Sequence, residues 1–438
     1  MESSGRDGKV ELTEELLAGR FIDQRQHDLR FDYTSGYWMM WDGTSWVRDE
    51  TRQTLDDLRR FIKAEVANSK PSRQLGSSSF VSGVEKLAKA DKRISVTSAC
   101  WDTDPMLLGT PDGTVDLRTG VLRKADPKDK ITKLTAVGPA VTADCPRWLA
   151  FLLEATGGDR ELVAALQRLC GYWLTGSTEE QKLAFLYGPG GNGKSVFTNT
   201  VANILAKYAR SASMDTFMVS KYASHTTDLA RLDGARLVTA SETEEGQAFA
   251  AAKIKQLTGG EIIAARFMRQ DNFEFKPQFK LLFSGNHAPQ LVRVDDAMRR
   301  RLLIIPFMHK PAVPDHQLEE KLRAEGPGIL RWMIDGCLEW KKGGLRPPPS
   351  VSSATQDYFD QEDVLEQWLD DCCDRDHPEA FFPVVAAFAS WKSFAEAAGH
   401  SPGDQRDFSA AMLEKGFEKK TRKETKSWMG LALRDGAQ

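Results

Sequence analysis

Of the chain's 438 residues, 41% are hydrophobic and 28% are charged, and the formal net charge is −3. This length suggests about two to four domains, and the apolar fraction is sufficient for buried cores. The sequence has no apolar run of about eighteen residues and no apolar stretch at its N-terminus, which argues against a membrane span and a secretory signal. Its six cysteines include no C-x-x-C pair, so we expect reduced thiols in a cytoplasmic protein without a membrane partner.

The first third of the sequence predicts a small domain after a polar start. We expect residues 1–30 to be only partly ordered. Aromatic residues surround Asp42-Gly43, a typical two-residue turn, which predicts a β-hairpin. Two stretches with helical spacing of apolar residues and several short strand-like stretches follow. We therefore predict an α+β domain over 31–145.

The most specific motif is GPGGNGKS at 188–195, which follows the apolar stretch LAFLY. It matches the phosphate-loop pattern G-x-x-x-x-G-K-[ST], whose glycines let backbone N–H groups approach phosphate oxygens. Lys194 would reach the β- and γ-phosphates of ATP, and Ser195 would bind Mg²⁺ at the N-terminus of the next helix. The predicted nucleotide-binding residues are Gly188, Pro189, Gly190, Gly191, Asn192, Gly193, Lys194, Ser195 and Val196.

An acidic stretch follows the next apolar strand candidate, 236–240. A carboxylate at the carboxyl end of a parallel strand would stand beside the phosphate loop. We predict that Glu242 polarises the attacking water and lies near Mg²⁺, with Glu244 as an alternative. The other interpretation is an acidic N-terminal turn of the following helix.

Asn286 ends a further strand candidate, 279–285. Its amide could hold the attacking water or a γ-phosphate oxygen, or Asn286 could be only a turn residue before Pro289. Because strands alternate with helical stretches, we predict a parallel, three-layer α/β core over 146–315.

Three consecutive arginines, Arg299, Arg300 and Arg301, precede another apolar strand candidate. One of them could enter the ATP site of a neighbouring subunit as an arginine finger, which stabilises transition-state charge. The alternative for at least one of them is an ion pair with the preceding aspartates.

The C-terminal region begins after a proline-rich stretch. We predict a helical extension and linker over 316–350, ending in LRPPPS, and a separate module over 351–438. Lysines and arginines are enriched at 415–426, as they are at 59–93. Each basic stretch is either a nucleic-acid patch or a solvated face.

These motifs, in this order, resemble the superfamily 3 helicases. The residues that carry the resemblance are GPGGNGKS, RLVTASETEEG at 236–246, the stretch 253–286, and DDAMRRRLLIIPF at 295–307. Within that superfamily, the chain most resembles the branch of phage and plasmid primase-helicases and poxvirus primase-helicases. This resemblance is strong over about 150–310. Residues 38–173 resemble the helicase-associated domain of that branch more loosely.

The resemblance implies an AAA+ core that assembles as a ring, usually a hexamer, and moves along single-stranded DNA. It implies a DNA-gripping hairpin at 261–276, which the alternating pattern also predicts, and it places the arginine finger at Arg300. The C-terminal module resembles a winged helix, with a plain helical bundle as the alternative. The implied DNA-binding residues are Arg266, Arg269, Lys276 and Lys253 in the core, and Lys419, Lys420, Arg422 and Lys423 in the C-terminal module.

Two features depart from the family pattern. Ser241-Glu242 stands where many members have two acidic residues, which leaves Mg²⁺ to Ser195, Glu242 and water. Related proteins often carry an N-terminal primase domain, and we expect none here, so a primase or an initiator would be a separate partner.

The leading functional expectation is an ATP-dependent DNA helicase that acts on single-stranded and forked DNA during replication of a phage, plasmid or other mobile element. Its catalytic residues would be Lys194, Glu242, Asn286 and Arg300. The alternatives are a non-unwinding AAA+ motor, an initiator or loader ATPase, and a nucleotide-dependent structural module.

Overall fold

The computed structural model describes residues 11–67, 75–220, 227–241, 247–268, 271–291, 294–422 and 424–434. Within these ranges no helix is both long and apolar enough to cross a membrane. The described chain forms an N-terminal unit, a central unit around a parallel sheet, and a C-terminal unit.

The N-terminal unit packs three helices on a small sheet of order β3-β2-β1-β4. Its elements are α1 (Glu14–Arg25), β1 (Leu29–Asp32), β2 (Tyr37–Trp41), β3 (Trp46–Arg48), α2 (Gln53–Ala67), α3 (Ser78–Ala90) and β4 (Ser95–Val96). The hairpin predicted around Asp42-Gly43 is confirmed by the antiparallel pairing of β2 with β3. Within the start that we predicted to be partly ordered, 1–30, the structure describes helix α1, which Thr13 caps and whose face at Leu17 and Phe21 is buried in the core.

A second small sheet belongs to the central unit. It consists of β5 (Leu107–Thr110), β6 (Gly113–Asp116) and β7 (Val121–Arg123). Leu108 and Val115 are fully buried in the central core, and the Tyr208 hydroxyl accepts a hydrogen bond from the Gly109 N–H (3.0 Å). The region predicted as one α+β domain over 31–145 therefore contributes to two hydrophobic cores.

The central unit contains a five-stranded sheet of order β14-β8-β13-β10-β9, in which every pair is parallel. Its elements are α4 (Pro146–Ala155), α5 (Arg160–Trp173), β8 (Leu183–Tyr187), α6 (Lys194–Leu205), β9 (Ala209–Ser211), α7 (Thr227–Ala230), β10 (Leu237–Ser241), α8 (Ala251–Gly259), β11 (Ile263–Ala265), β12 (Phe273–Phe275), β13 (Lys280–Gly285), α9 (Asp296–Arg299), β14 (Leu302–Pro306), α10 (Leu318–Ala324) and α11 (Gly326–Gly343).

Both faces of this sheet are covered. In β8, Ala184 and Leu186 lie in one hydrophobic cluster with α4, α5 and α11, while Leu183 and Phe185 lie in a second cluster with α8. Side chains of a strand alternate between its two faces, so the two clusters occupy opposite sides of the sheet. The predicted parallel, three-layer arrangement is confirmed.

The C-terminal elements are α12 (Pro349–Glu362), α13 (Val364–Cys372), β15 (Cys373–Asp374), β16 (Phe381–Pro383), α14 (Val384–Ala397), α15 (Gln405–Glu414), β17 (Lys419–Arg422), β18 (Thr425–Met429) and β19 (Ala432–Leu433). Helices α13 to α15 surround a core containing Trp368 and Trp428, beside an antiparallel sheet of order β16-β18-β17.

The proline-rich stretch differs from the predicted linker because it is packed. Pro348 is buried, and Arg168 donates to the Leu345 carbonyl (2.9 Å). The next helix, α12, lies along the edge strand β14, where Thr355 accepts a hydrogen bond from the Ile304 N–H (3.0 Å). The separate C-terminal core therefore starts at α13, after the predicted boundary at 351.

Candidate nucleotide-binding site

The phosphate-loop motif forms a tight turn between β8 and α6. Gly188, Gly191 and Gly193 have φ angles of 149°, 79° and 87°, which glycine adopts far more readily than other residues. A Cβ at Gly188 would lie 2.0 Å from the carbonyl oxygen of Phe307, and one at Gly193 would lie 2.6 Å from the Phe151 ring. The loop therefore requires glycine both for its backbone angles and for its close approach to neighbouring chain.

Lys194 is 7% exposed, and its ammonium group is held over this loop. It donates to the carbonyls of Gly188 (2.6 Å) and Pro189 (3.1 Å) and to the side-chain oxygens of Asn192 and Asn286 (both 3.1 Å). Burial lowers the pKa of Lys194, and the nearby charge of Lys310 lowers it further. The lysine is thus positioned before any ligand arrives.

Asn286 reaches this lysine from a different strand. It follows β13, which pairs with β8 so that Gly285 lies opposite Tyr187. The carboxyl ends of parallel strands meet at one edge of the sheet, and this register brings the predicted sensor amide to the loop. Ser241, at the end of β10, lies opposite Ser284 on the same edge.

A cavity of about 580 Å³ opens beside these residues, a volume within the usual range for small-molecule sites. Its lining includes Ser195, Val196, Ser241 and Asn286. Glu242, the predicted water-polarising residue, and Glu244 lie outside the described residues.

Sequence reasoning missed a second group of lining residues, which come from α4, from the segment before α10 and from the first residue of α10. Arg147 forms ion pairs with Glu154 (3.1 Å) and with Asp315 (3.8 Å), and Phe151 and Leu318 add apolar surface. No local motif marks these residues, because Arg147 and Asp315 meet only in the folded chain. The signal that the sequence offered was the spacing of Arg147 and Glu154, which are two helical turns apart on α4 and so lie on one face of the helix.

The three arginines have three different environments. Arg301 is 6% exposed and donates to Thr258 (3.1 Å) and to the Ala297 carbonyl (2.9 Å). Arg299 pairs with Asp363 (3.3 Å). Arg300 is exposed, and its guanidinium has no partner among the described residues.

Arg300 also lies far from the phosphate loop of its own chain. It precedes β14, whose first residue Leu302 is opposite Leu183 at the amino end of β8. β8 has five residues, so at about 3.3 Å per residue the two edges are roughly 15 Å apart. Of the three arginines, Arg300 alone is both exposed and unpaired within the described chain.

The predicted hairpin is present, with β11 paired antiparallel to β12. Arg266 is exposed where β11 enters the turn, and Lys276 is exposed at the opposite, open end of the hairpin after β12. Arg269 at the predicted tip lies outside the described residues. Phe267 stacks on Phe273 at 5.7 Å with a 15° interplanar angle.

Two more apolar side chains lie on this hairpin, Ile262 (62% exposed) and Met268 (77% exposed). Lys253, on the preceding helix α8, donates to the Thr216 carbonyl (2.9 Å), so this ammonium is held against its own unit.

The basic residues of the C-terminal unit lie on the edge strand β17, where all four side chains are exposed. Lys419 lies over the Trp428 ring (4.7 Å) and Arg422 over the Phe381 ring (4.8 Å). Lys420 is exposed and makes no such contact in the described ranges. Lys423 lies outside the described residues. These cations lie on one strand, apart from the cavity of the central unit.

Two family models match the chain. One is described as D5 N terminal like and matches residues 17–157, and the other describes a family of unknown function, DUF5906, and matches residues 186–301.

Three curated viral proteins, each named Putative helicase, are similar to the chain. L207/L206 of Acanthamoeba polyphaga mimivirus is 25% identical over 74% of this chain and 36% of its own length. 022R of Frog virus 3 (isolate Goorha) is 25% identical over 67% of this chain and 39% of its own length. 184R of Invertebrate iridescent virus 6 is 28% identical over 62% of this chain and 32% of its own length. The matched region spans between about a third and two fifths of the length of these relatives.

Solved structures of the NrS-1 C terminal region have a similar fold. Two apo structures give TM-scores of 0.52 and 0.54, each at 11% sequence identity. They cover 96% and 95% of this chain and 100% and 99% of their own. At this identity the similarity concerns the fold alone.

Proposed function

Because the chain belongs to a primase-helicase-like family of superfamily 3 helicases, we propose that it is an ATP-dependent DNA helicase that forms a ring and moves along single-stranded DNA. The relatives' names support the helicase activity. The observation that carries the proposal is the contact between Lys194 and Asn286, which come from different strands and meet beside the cavity.

The residues around the cavity have complementary roles in this proposal. The loop N–H groups and Lys194 would bind the β- and γ-phosphates of ATP, and Asn286 would orient the attacking water or a γ-phosphate oxygen. Glu242, one residue beyond Ser241, would accept a proton from that water. Ser195 lines the cavity and offers the oxygen donor that Mg²⁺ prefers, so Ser195 and Glu242 would hold Mg²⁺, which neutralises phosphate charge.

The position of Arg300 supports a site shared between subunits. An arginine at the opposite edge of the sheet cannot reach the phosphate loop of its own chain, but an exposed and unpaired guanidinium can enter the cavity of a second copy. The AAA+ assignment is further supported by the strand order, with the loop strand β8 between β14 and β13. A ring, as in the family, would give every cavity such an arginine.

Two surfaces are the proposed DNA contacts. The hairpin formed by β11 and β12 would touch the strand through Arg266, Lys276 and Phe267, together with Arg269. The elements of the C-terminal unit follow in the order α13, β15, β16, α14, α15, β17, β18 and β19. This order supports a winged-helix module whose basic strand β17 contacts the phosphates.

A mixing experiment tests the shared site. Lys194→Ala and Arg300→Ala should each lose ATPase activity when assayed alone. When the two variants are mixed, about one site in four combines an intact lysine with an intact arginine, so activity should partly return. Arg323→Ala, which removes an exposed arginine on α10, is the matched control and should retain activity. Failure of the mixture to recover would exclude a site shared between subunits.

Strand separation distinguishes the helicase from the alternative motor. The wild-type chain should separate a forked duplex with ATP, and Lys194→Ala should not. Lys194-dependent ATPase without strand separation would instead favour a non-unwinding motor, initiator or loader.

A further inference from the structure

A cluster of aromatic rings and cations lies on the N-terminal unit, apart from the residues that line the nucleotide cavity. We define the tryptophan–cation cluster as Trp41, Trp46, Trp101, Arg30 and Lys130. The ring of Trp46 lies 5.8 Å from that of Trp41 and 5.5 Å from that of Trp101. The Arg30 guanidinium lies 5.0 Å from the Trp46 ring centre, and the Lys130 ammonium lies 5.1 Å from it. Five side chains therefore form one contiguous cluster, with Trp46 buried at its centre and the other four partly exposed.

The two cations lack carboxylate partners. Arg30 donates to the carbonyls of Gln26 and Leu29 (both 2.6 Å) but forms no ion pair in the described ranges. Lys130 is half-buried, and the part of the chain that the structure describes offers no acceptor for its ammonium. Burial and the charge of Arg30 lower the pKa of Lys130. A half-buried positive charge without a counter-charge costs free energy that a bound anion would recover.

The rings are fixed in place by their indole nitrogens. Trp46 donates to the Pro127 carbonyl (2.9 Å), and Trp101 donates to the Asp32 carboxylate (3.1 Å). Lys130 itself has a left-handed backbone, with a φ angle of 56°, a conformation that is strained for lysine and frequent at functional sites. The cluster is thus held rigid while Lys130 is kept at its surface.

Trp41 differs from the other two rings because neither cation lies over it. It is partly exposed, and its neighbour Trp46 is buried beneath the two cations. One ring face next to a concentration of positive charge matches the two parts of a nucleotide, a base that stacks on aromatic rings and a phosphate that binds cations. A phosphopeptide would use the charge and leave the ring without a role.

We propose that the tryptophan–cation cluster binds one nucleotide of a single-stranded nucleic acid, with the phosphate at Lys130 and Arg30 and the base against Trp41. Such stacking tolerates any base, so the contact is independent of sequence. The inference rests on the proposed nucleic-acid substrate and adds a contact on the N-terminal unit to those of the hairpin and β17.

The test measures binding of a fluorescent single strand by the full chain, using anisotropy at several salt concentrations. Lys130→Asn removes the charge, and asparagine tolerates the left-handed backbone. It should weaken binding about fivefold or more and reduce the salt slope by about 0.7, the contribution of one phosphate contact on a single strand. Lys128→Asn, which removes an exposed lysine two residues away, should bind like the wild type.

Trp41→Leu is the second variant and tests the base contact. It should weaken binding of the normal strand about fivefold or more and leave binding of an abasic strand unchanged. Equal loss with both strands, or loss in Lys130→Asn alone together with competition by inorganic phosphate, would overturn the nucleotide assignment.

Wild-type binding by both variants, with Lys194-dependent unwinding intact, would overturn the inference and leave the helicase proposal standing. No strand binding by the wild-type chain would overturn both.

Discussion

The central unit and the C-terminal unit present their cations in opposite ways. Lys194 is 7% exposed and has four oxygen acceptors within 3.1 Å. On β17, by contrast, every side chain is exposed, and Lys420 has no partner among the described residues. A preorganised, buried cation acts as part of a unit whose loss abolishes function, whereas exposed cations contribute small, salt-dependent and nearly additive increments.

The largest effect on ATPase activity should come from distorting the phosphate loop that holds Lys194, without changing any charge. Gly188→Ala places a Cβ 2.0 Å from the Phe307 carbonyl oxygen, so the loop must shift. A displacement of about 1 Å in such a site costs roughly a hundredfold in rate, and we expect ATPase activity to fall by at least that much. Gly19→Ala, where a Cβ on α1 meets no neighbouring atom, is the control. ATPase activity in Gly188→Ala close to the wild-type rate would contradict the preorganised loop.

A second buried cation, Lys280, should make the free energy of unfolding depend on pH. Lys280, 2% exposed, donates to the Thr175 carbonyl, and burial together with the charge of Arg236 lowers its pKa well below the usual value. The unfolded chain then binds more protons at this lysine than the folded chain does, so the free energy of unfolding rises with pH between the folded-state pKa and about 10.4.

Replacing this lysine should remove that contribution. Lys280→Met should flatten the rise by up to about 1.4 kcal/mol per pH unit, measured by urea unfolding at several alkaline pH values. Lys342→Met, at an exposed lysine on α11, should keep the wild-type slope. An unchanged slope in Lys280→Met would show that Lys280 stays charged in the folded chain.

The hairpin lies between the two extremes, because its aromatic rings are stacked yet partly exposed. Phe267→Ala removes a ring that stacks on Phe273, and we expect single-stranded DNA to bind about five- to tenfold more weakly. ATPase activity without DNA should be unchanged, since Phe267 lies outside the cavity. Retained affinity would place the strand elsewhere on the molecule.

The smallest effect, on DNA binding, should come from removing a single charge on β17. Lys420→Gln removes one exposed charge, which should weaken DNA binding about two- to threefold at low salt and reduce the salt slope by about 0.7 to 0.9. Lys342→Gln is the control for nonspecific charge loss. A tenfold or larger effect of Lys420→Gln would mean that β17 forms a preorganised site like that of Lys194.

The sequence predicted the features that depend on local patterns. The glycine-rich loop, the parallel strands on either side of it and the hairpin at 261–276 all follow from spacing and residue type. Asn286 was predicted as a sensor from its place after a strand, and the fold brings its side chain to Lys194. Helix α1 was not predicted as an element, because its polar residues outnumber the short apolar face at Leu17 and Phe21.

Only the tertiary structure decided which distant segments of the chain come into contact. Residue type and spacing left open which of the three adjacent arginines is the finger, and only the family resemblance pointed to Arg300. The fold separates them by burying Arg301, pairing Arg299 with Asp363 and exposing Arg300. The cavity lining from α4 and the start of α10, and the tryptophan–cation cluster, likewise join residues that share no local motif. The phosphate loop could be predicted from the sequence because backbone angles and short spacing define it. Exposure and charge pairing could not, because they depend on which surfaces pack together.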